Sequence, residues 1–237
     1  MKNLLLLVFF IVGLVLFVQA IQAQTVDEII NKYMDARGGR DKIIAIHSLY
    51  MEGSRQMMGN EVPVKIYKVQ GKLSRTEFEA MGQTGYTLVT PAGGWMLIPM
   101  RSPNPEAIPA DRLKNMQEEL DIPGALVDYK VKGSKAEMVG KDSTTGAYKI
   151  KLTNAAGKET TYYIDPKTYL IIQTKQIAPG RGGEQRELII NYADYKSVDG
   201  IMFPMTISSP GQGMMAGSTT FDKVELNKLV DEKLYKP

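Results

Sequence analysis

Side chains that commonly carry out chemistry are scarce in this chain. Its 237 residues include one histidine, His47, and no cysteine. Thiolate-held zinc is therefore excluded, and an imidazole-based metal or nucleophilic site has a single ring to draw on. His47 stands at the start of a predicted strand, where a structural role is expected. The sequence contains no glycine–serine nucleophile elbow, no phosphate loop and no dinucleotide fingerprint. Gly180-Arg181-Gly182-Gly183 is glycine-rich, but it lies between two predicted strands and no helix follows it. A phosphate cradle needs that helix N-terminus, so the segment reads as a hairpin loop. Carboxylates are plentiful, yet most alternate with apolar residues and read as solvated faces. These patterns predict a protein that is not an enzyme and carries no cofactor or metal.

Binding chemistry is better supplied. The chain has 14 methionines, among them Met57-Met58, Met96, Met100, Met202, Met205 and Met214-Met215. Thioether side chains are flexible and polarizable and adapt to irregular apolar partners, which suits either a cavity for varied acyl chains or the filling of a large core. Trp95, the single tryptophan, lies in Gly93-Gly94-Trp95-Met96-Leu97-Ile98, just before a proline-rich helical segment.

The elements that must position these residues change character along the chain. Met1-Lys2-Asn3 is a short basic start, Leu4 to Val18 is apolar, and Ala20-Ile21-Gln22-Ala23 offers a cut after Ala23. This is the layout of a secretory signal peptide, and the apolar run is shorter than the ~20 residues of a spanning helix. Residues 1–23 are thus expected to be removed, leaving 24–237 as one domain. Without a cysteine at the cut, the product cannot be a lipid-anchored lipoprotein. The net charge of +3 falls to near neutral once Lys2 is lost, which argues against a nucleic-acid partner.

In the remaining chain, Thr25 and Glu28 form a capping-box pattern, and Val26, Ile29, Ile30, Tyr33 and Met34 make one helical stripe that Gly38-Gly39 ends. Asp41 to Ile46 predicts a second short helix. From Leu49 onward the period becomes two, predicting about a dozen strands that include Leu126 to Lys132. Short turns such as Thr145-Gly146, Asp165-Pro166-Lys167-Thr168 and Asp199-Gly200 make them antiparallel neighbours. Ser102 to Ile122 interrupts the meander, with three prolines followed by a helix over Ala110 to Leu120. The prediction is an α+β fold, mainly antiparallel: a strongly curved, unclosed half-barrel sheet with helices packed on its concave face as a lid. A membrane β-barrel needs an apolar lipid-facing band on every strand, and Lys72 to Ala80, with Arg75, Glu77 and Glu79 on one face, does not supply it.

Three segments together resemble the periplasmic outer-membrane lipoprotein-sorting superfamily, the LolA/LolB-like carriers. They are Val26 to Leu49 with its Gly-Gly break, the aromatic–Asp–Pro hairpin of Tyr162 to Ile171, and Tyr195 to Pro204 with the closing stretch Phe221 to Tyr235. The resemblance implies a half-barrel with a helical lid over an apolar cavity, handling of lipids or acylated lipoproteins, and no catalysis. On that reading Tyr86, Leu88, Trp95, Met96, Ile98, Leu113 and Met116 are the expected cavity and lid residues. The protein would be a soluble, monomeric periplasmic carrier. The superfamily's classical carrier holds its lid with a cavity arginine, and Arg55 and Arg75 lie on early strands here. The alternative is a protein-interaction module serving an envelope protein complex or a zinc peptidase.

Overall fold

Thr25 begins the first helix as expected: its hydroxyl accepts from the Glu28 amide (3.2 Å), and the Glu28 carboxylate accepts from the Thr25 amide (2.9 Å). In this computed structural model, which describes residues 24–57, 59–80, 82–179, 185–210 and 217–237, helix α1 spans Val26–Ala36 and α2 spans Arg40–Ile44. The expected signal peptide (1–23), Gly180 to Gly183, Met58 and Met214-Met215 lie outside the described residues.

Strands β1 (Ser48–Met57), β2 (Asn60–Val69), β3 (Leu73–Ala80), β4 (Gln83–Val89), β5 (Gly94–Leu97) and β6 (Glu106–Ala107) follow in a meander. Helix α3 (Ala110–Met116) continues into a 3₁₀ turn, Gln117–Leu120. A second meander is formed by β7 (Lys135–Lys141), β8 (Tyr148–Thr153), β9 (Glu159–Ile164), β10 (Ile171–Pro179), β11 (Gln185–Val198), β12 (Ile201–Ser209) and β13 (Gly217–Leu226). One sheet of 13 strands results, in the order β6-β5-β4-β3-β2-β1-β13-β12-β11-β10-β9-β8-β7. The chain starts in the middle, runs out to one edge, crosses to the opposite edge and returns. The crossing segment, residues 108–134, must therefore span the sheet from edge to edge.

The curvature of the sheet can be read from two neighbouring residues in that segment. Glu119 accepts a hydrogen bond from Ser74 on β3 (3.2 Å), while Glu118 accepts from Asn154 (2.8 Å) and Lys158 (2.6 Å) in the β8–β9 turn. In a flat sheet those strands, eight steps apart in the order, would lie about 38 Å from each other at ~4.8 Å per strand. Adjacent glutamates cannot span that distance, so the sheet is strongly curled, yet β6 and β7 do not pair and the barrel is not closed.

The core sits on the inner, concave face. Ile29, Ile30 and Tyr33 of α1 pack on Ile150, Leu152, Ile164 and Ile171, and Ile43 of α2 packs with Ile46 on Leu49, Phe203 and Phe221. Each of these fully buried side chains contributes roughly 1.5–3 kcal/mol. Residues Leu126 to Lys132 are not the expected strand but a run of turns. Asp128 takes φ 53° and Gly124 φ 91°, so Leu126, Val127 and Tyr129 are buried against the helices rather than alternating in a ladder. The edge strand β7 escapes the sequence pattern because most of its residues are exposed.

Candidate functional site: a bridged concave face

The crossing segment is fastened at both ends of its path. Toward the first meander, Lys68 donates to the Glu119 carbonyl (3.2 Å), Gly71 to the Leu120 carbonyl (2.9 Å), and the Gln70 side chain accepts from the Ile122 amide (2.7 Å). Toward the helices, Arg37 donates to the Pro123 carbonyl (2.8 Å) and Arg40 clasps Asp128 through two bonds of 2.7 Å. Tyr129 and Lys130 both donate to Asp27, at 2.6 and 2.8 Å. Hydrogen bonding from Lys130 and then Tyr129 holds the Asp27 carboxyl below its ordinary range, and hydrogen bonding from Arg40 does the same for Asp128.

Between these fasteners the inner face carries tyrosines. The β-ladder places Tyr162 of β9 opposite Thr174 of β10 and Tyr192 of β11 opposite Ile207 of β12. The Thr174 and Tyr192 hydroxyls lie 3.3 Å apart. Burial pushes the phenols of Tyr162, Tyr192 and Tyr195 above the usual tyrosine range, yet all three residues keep part of their surface accessible. Tyr33 of α1 lies near all three, and half-buried Met34, Ile66 and Ile207 adjoin the same surface. Among the described residues no group of three or more histidine, aspartate or glutamate side chains converges as a metal site.

The seven residues expected to line the cavity do not converge. Met96, Leu113 and Met116 pack together with Val89, Ile108 and Leu120 where α3 meets the edge of the inner face. Met96 and Ile98 also line a small pocket of about 20 Å³ with Arg101, Ser102, Asn104 and Glu106, room for roughly one water. Tyr86, Leu88 and Trp95 lie on the opposite, outer face with Leu73, Tyr67, Val69 and Leu97, beneath Val230, Leu234 and Tyr235. Alternation along β5 separates Trp95 from Met96. Arg75 is also on the outer face: it pairs with Glu77 at 2.8 Å and donates to the Leu234 and Lys236 carbonyls, so it does not fasten the crossing segment. Arg55 lies on β1, opposite Val62 and Thr219. The inner-face tyrosines carry little sequence signal: the period-two run Leu188, Ile190, Tyr192 marks Tyr192 alone. The fasteners Arg37, Arg40, Asp27 and Asp128 left no sequence signal, because their partners are 80 or more residues away.

No known family model and no curated protein matches the sequence. Solved structures do match. A LolA superfamily protein from Nitrosomonas europaea superposes with a TM-score of 0.56 at 11% identity, covering 91% of this chain and 99% of the other. A DUF1329 family protein from Desulfovibrio piger gives 0.57 at 11% identity, covering 90% and 98%. Likeness at such low identity is likeness of fold, and with the unclosed sheet and its edge-to-edge crossing it establishes that this chain has a LolA-like fold.

Proposed function

We propose that this protein is a soluble, non-catalytic periplasmic binding protein that carries lipids or lipoprotein acyl chains on its inner face. The observation that carries this reading is the half-buried, tyrosine-lined concave surface bridged by residues 108–134. Met96, Leu113 and Met116 belong to that bridge and its seat, and Tyr162, Tyr192 and Ile207 to the lining. The apolar segment 1–23 supports export, and release of that segment would give a diffusing monomer. No described helix is long and apolar enough to cross a membrane.

Each buried CH₂ of a ligand contributes roughly 0.8 kcal/mol. About ten of them give roughly 8 kcal/mol, which is micromolar binding, so a fluorescent fatty acid at micromolar concentration is a suitable probe. Mass spectrometry of protein purified from its native envelope is expected to show co-purifying lipid. Ile207→Glu, which puts a charge on the lining, is expected to weaken fatty-acid uptake at least tenfold without loss of the fold. A protein that arrives empty and takes up no fatty acid would sink the proposal.

A further inference from the structure

The outer face carries a covered apolar surface that the lipid reading does not use. Beyond β13 the chain turns at Asn227 (φ 57°), is held at its base by the Ser48 hydroxyl donating to the Lys228 carbonyl (2.6 Å), and then lies across the outer side of β2 to β5 as a strap. Val230, Leu234 and Tyr235 of the strap rest on Leu73, Tyr86 and Leu88, the cluster against which Trp95 also packs. At the centre lies Arg75, only 8% exposed, with its guanidinium 3.9 Å from the Tyr86 ring centroid. Its Nε pairs with the Glu77 carboxylate, and its Nη1 donates to the strap's Leu234 and Lys236 carbonyls.

The strap fits this surface incompletely. The Arg75 bonds to the Leu234 and Lys236 carbonyls are long, 3.4 and 3.2 Å. The hydroxyl of Tyr86, a residue 5% exposed, is buried there with no hydrogen-bond partner among the described residues. Leu229, between the anchored base and the docked end, is fully exposed. A buried hydroxyl without a partner disfavours the arrangement that leaves it so, and a short segment held on the sheet by two long hydrogen bonds and three half-buried side chains can open locally while the strands stay paired.

We propose that this outer groove is a peptide-docking site which the chain's own strap occupies in the structure. Its partner is an extended polypeptide segment of the strap's chemistry: a leucine–aromatic pair to cover Leu73, Leu88 and Trp95, carbonyls presented to Arg75, and a polar group for the Tyr86 hydroxyl. The strap keeps the groove covered until such a segment displaces it. This does not depend on lipid binding at the inner face, which is on the other side of the sheet.

Trp95, the single tryptophan, packs on the same Leu73, Tyr86 and Leu88 cluster as the strap and so reports on the groove. The experiment compares the wild type with the strap-released variant Leu234→Ala/Tyr235→Ala, by Trp95 emission and by anisotropy of a labelled synthetic peptide of residues 228–237. Release is expected to shift Trp95 emission to the red and raise its quenching by iodide with an unchanged far-UV spectrum. The peptide is expected to bind the released protein saturably, restore the emission, and bind the wild type much more weakly. Arg75→Ala in the released background should weaken the peptide about tenfold, the loss of a hydrogen bond to a charged group. Unchanged Trp95 emission on release, or a folded released variant that ignores the peptide, overturns the proposal. So does restoration of the emission by a fatty acid and not by the peptide. If the double variant does not fold, hydrogen exchange of wild-type residues 229–236 decides: exchange no faster than that of β3 means the strap does not open and refutes the inference, whereas faster exchange with β3 protected supports it.

Discussion

Gly38→Ala tests how the first helix is seated on the sheet, and Gly39→Ala supplies its control. Both glycines have positive φ, 119° and 96°, so alanine is strained at either position by about 1–3 kcal/mol. Only Gly38 also faces a neighbour. A Cβ there would lie 2.1 Å from the Gly200 carbonyl oxygen and 3.1 Å from the Ile201 Cα, whereas a Cβ on Gly39 meets nothing within 4 Å. The obstacle is backbone, in the turn between β11 and β12, and that turn is tied to the helix by the Met202 amide donating to the Arg37 carbonyl at 2.8 Å. Relieving the clash by moving the helix end costs about a further 1–3 kcal/mol, the usual range for overpacking. Gly38→Ala is thus expected to lose about 4 kcal/mol and Gly39→Ala about 2. For a domain of this size these losses correspond to roughly 10 °C and 5 °C in melting temperature. Urea unfolding followed by far-UV circular dichroism measures both variants under one set of conditions. Equal losses would refute the reasoning, since the close approach to Gly200 would then contribute nothing beyond the φ values.

Ile30→Ala, at a site 2% exposed on the buried stripe of α1, is expected to cost about 2–5 kcal/mol, read as a lower urea midpoint with the slope unchanged. Acid should loosen the bridge. The folded-state values of Asp27 and Asp128 lie below their ordinary 3.8, so their contribution is present above that pH and is lost as pH falls below it. Hydrogen exchange of residues 121–134 should therefore speed up below about pH 4, ahead of the strands, and less so in Asp128→Asn, where the charge is already gone. Alkali acts with the opposite sign. The raised phenols of Tyr162, Tyr192 and Tyr195 stabilise the fold below their ordinary 10.0, and that contribution is lost as pH rises above it. A spectrophotometric titration should show these tyrosines ionising only as the protein unfolds, and a single ordinary tyrosine transition in the folded state would contradict their burial.

Local patterns were legible wherever the cause lies within a few residues. The capping box at Thr25 and Glu28, the α1 stripe, the Asp199-Gly200 turn with both residues at positive φ, and the alternation of most strands follow from short-range sterics and hydrogen bonding. The strand predicted over Leu126 to Lys132 failed for a tertiary reason. Its apolar residues answer to α1 and α2, and Asp128 is held at positive φ while Arg40 grips its carboxylate. Periodicity cannot distinguish apolar residues buried under helices from apolar residues buried in a sheet.

The chain by itself determined the type of its elements, their antiparallel succession and the poverty of catalytic groups, because each depends on residue identity and short spacing. The tertiary structure alone decided which side of the sheet each residue serves. Trp95 and Met96 are neighbours in sequence and lie on opposite faces; Gly38 and Gly200 are 162 residues apart and meet within a Cβ radius. A strand's alternation fixes that two faces exist, but only the curling of the sheet, the crossing of residues 108–134 and the return of the strap fix which face packs against the helices and which against the strap.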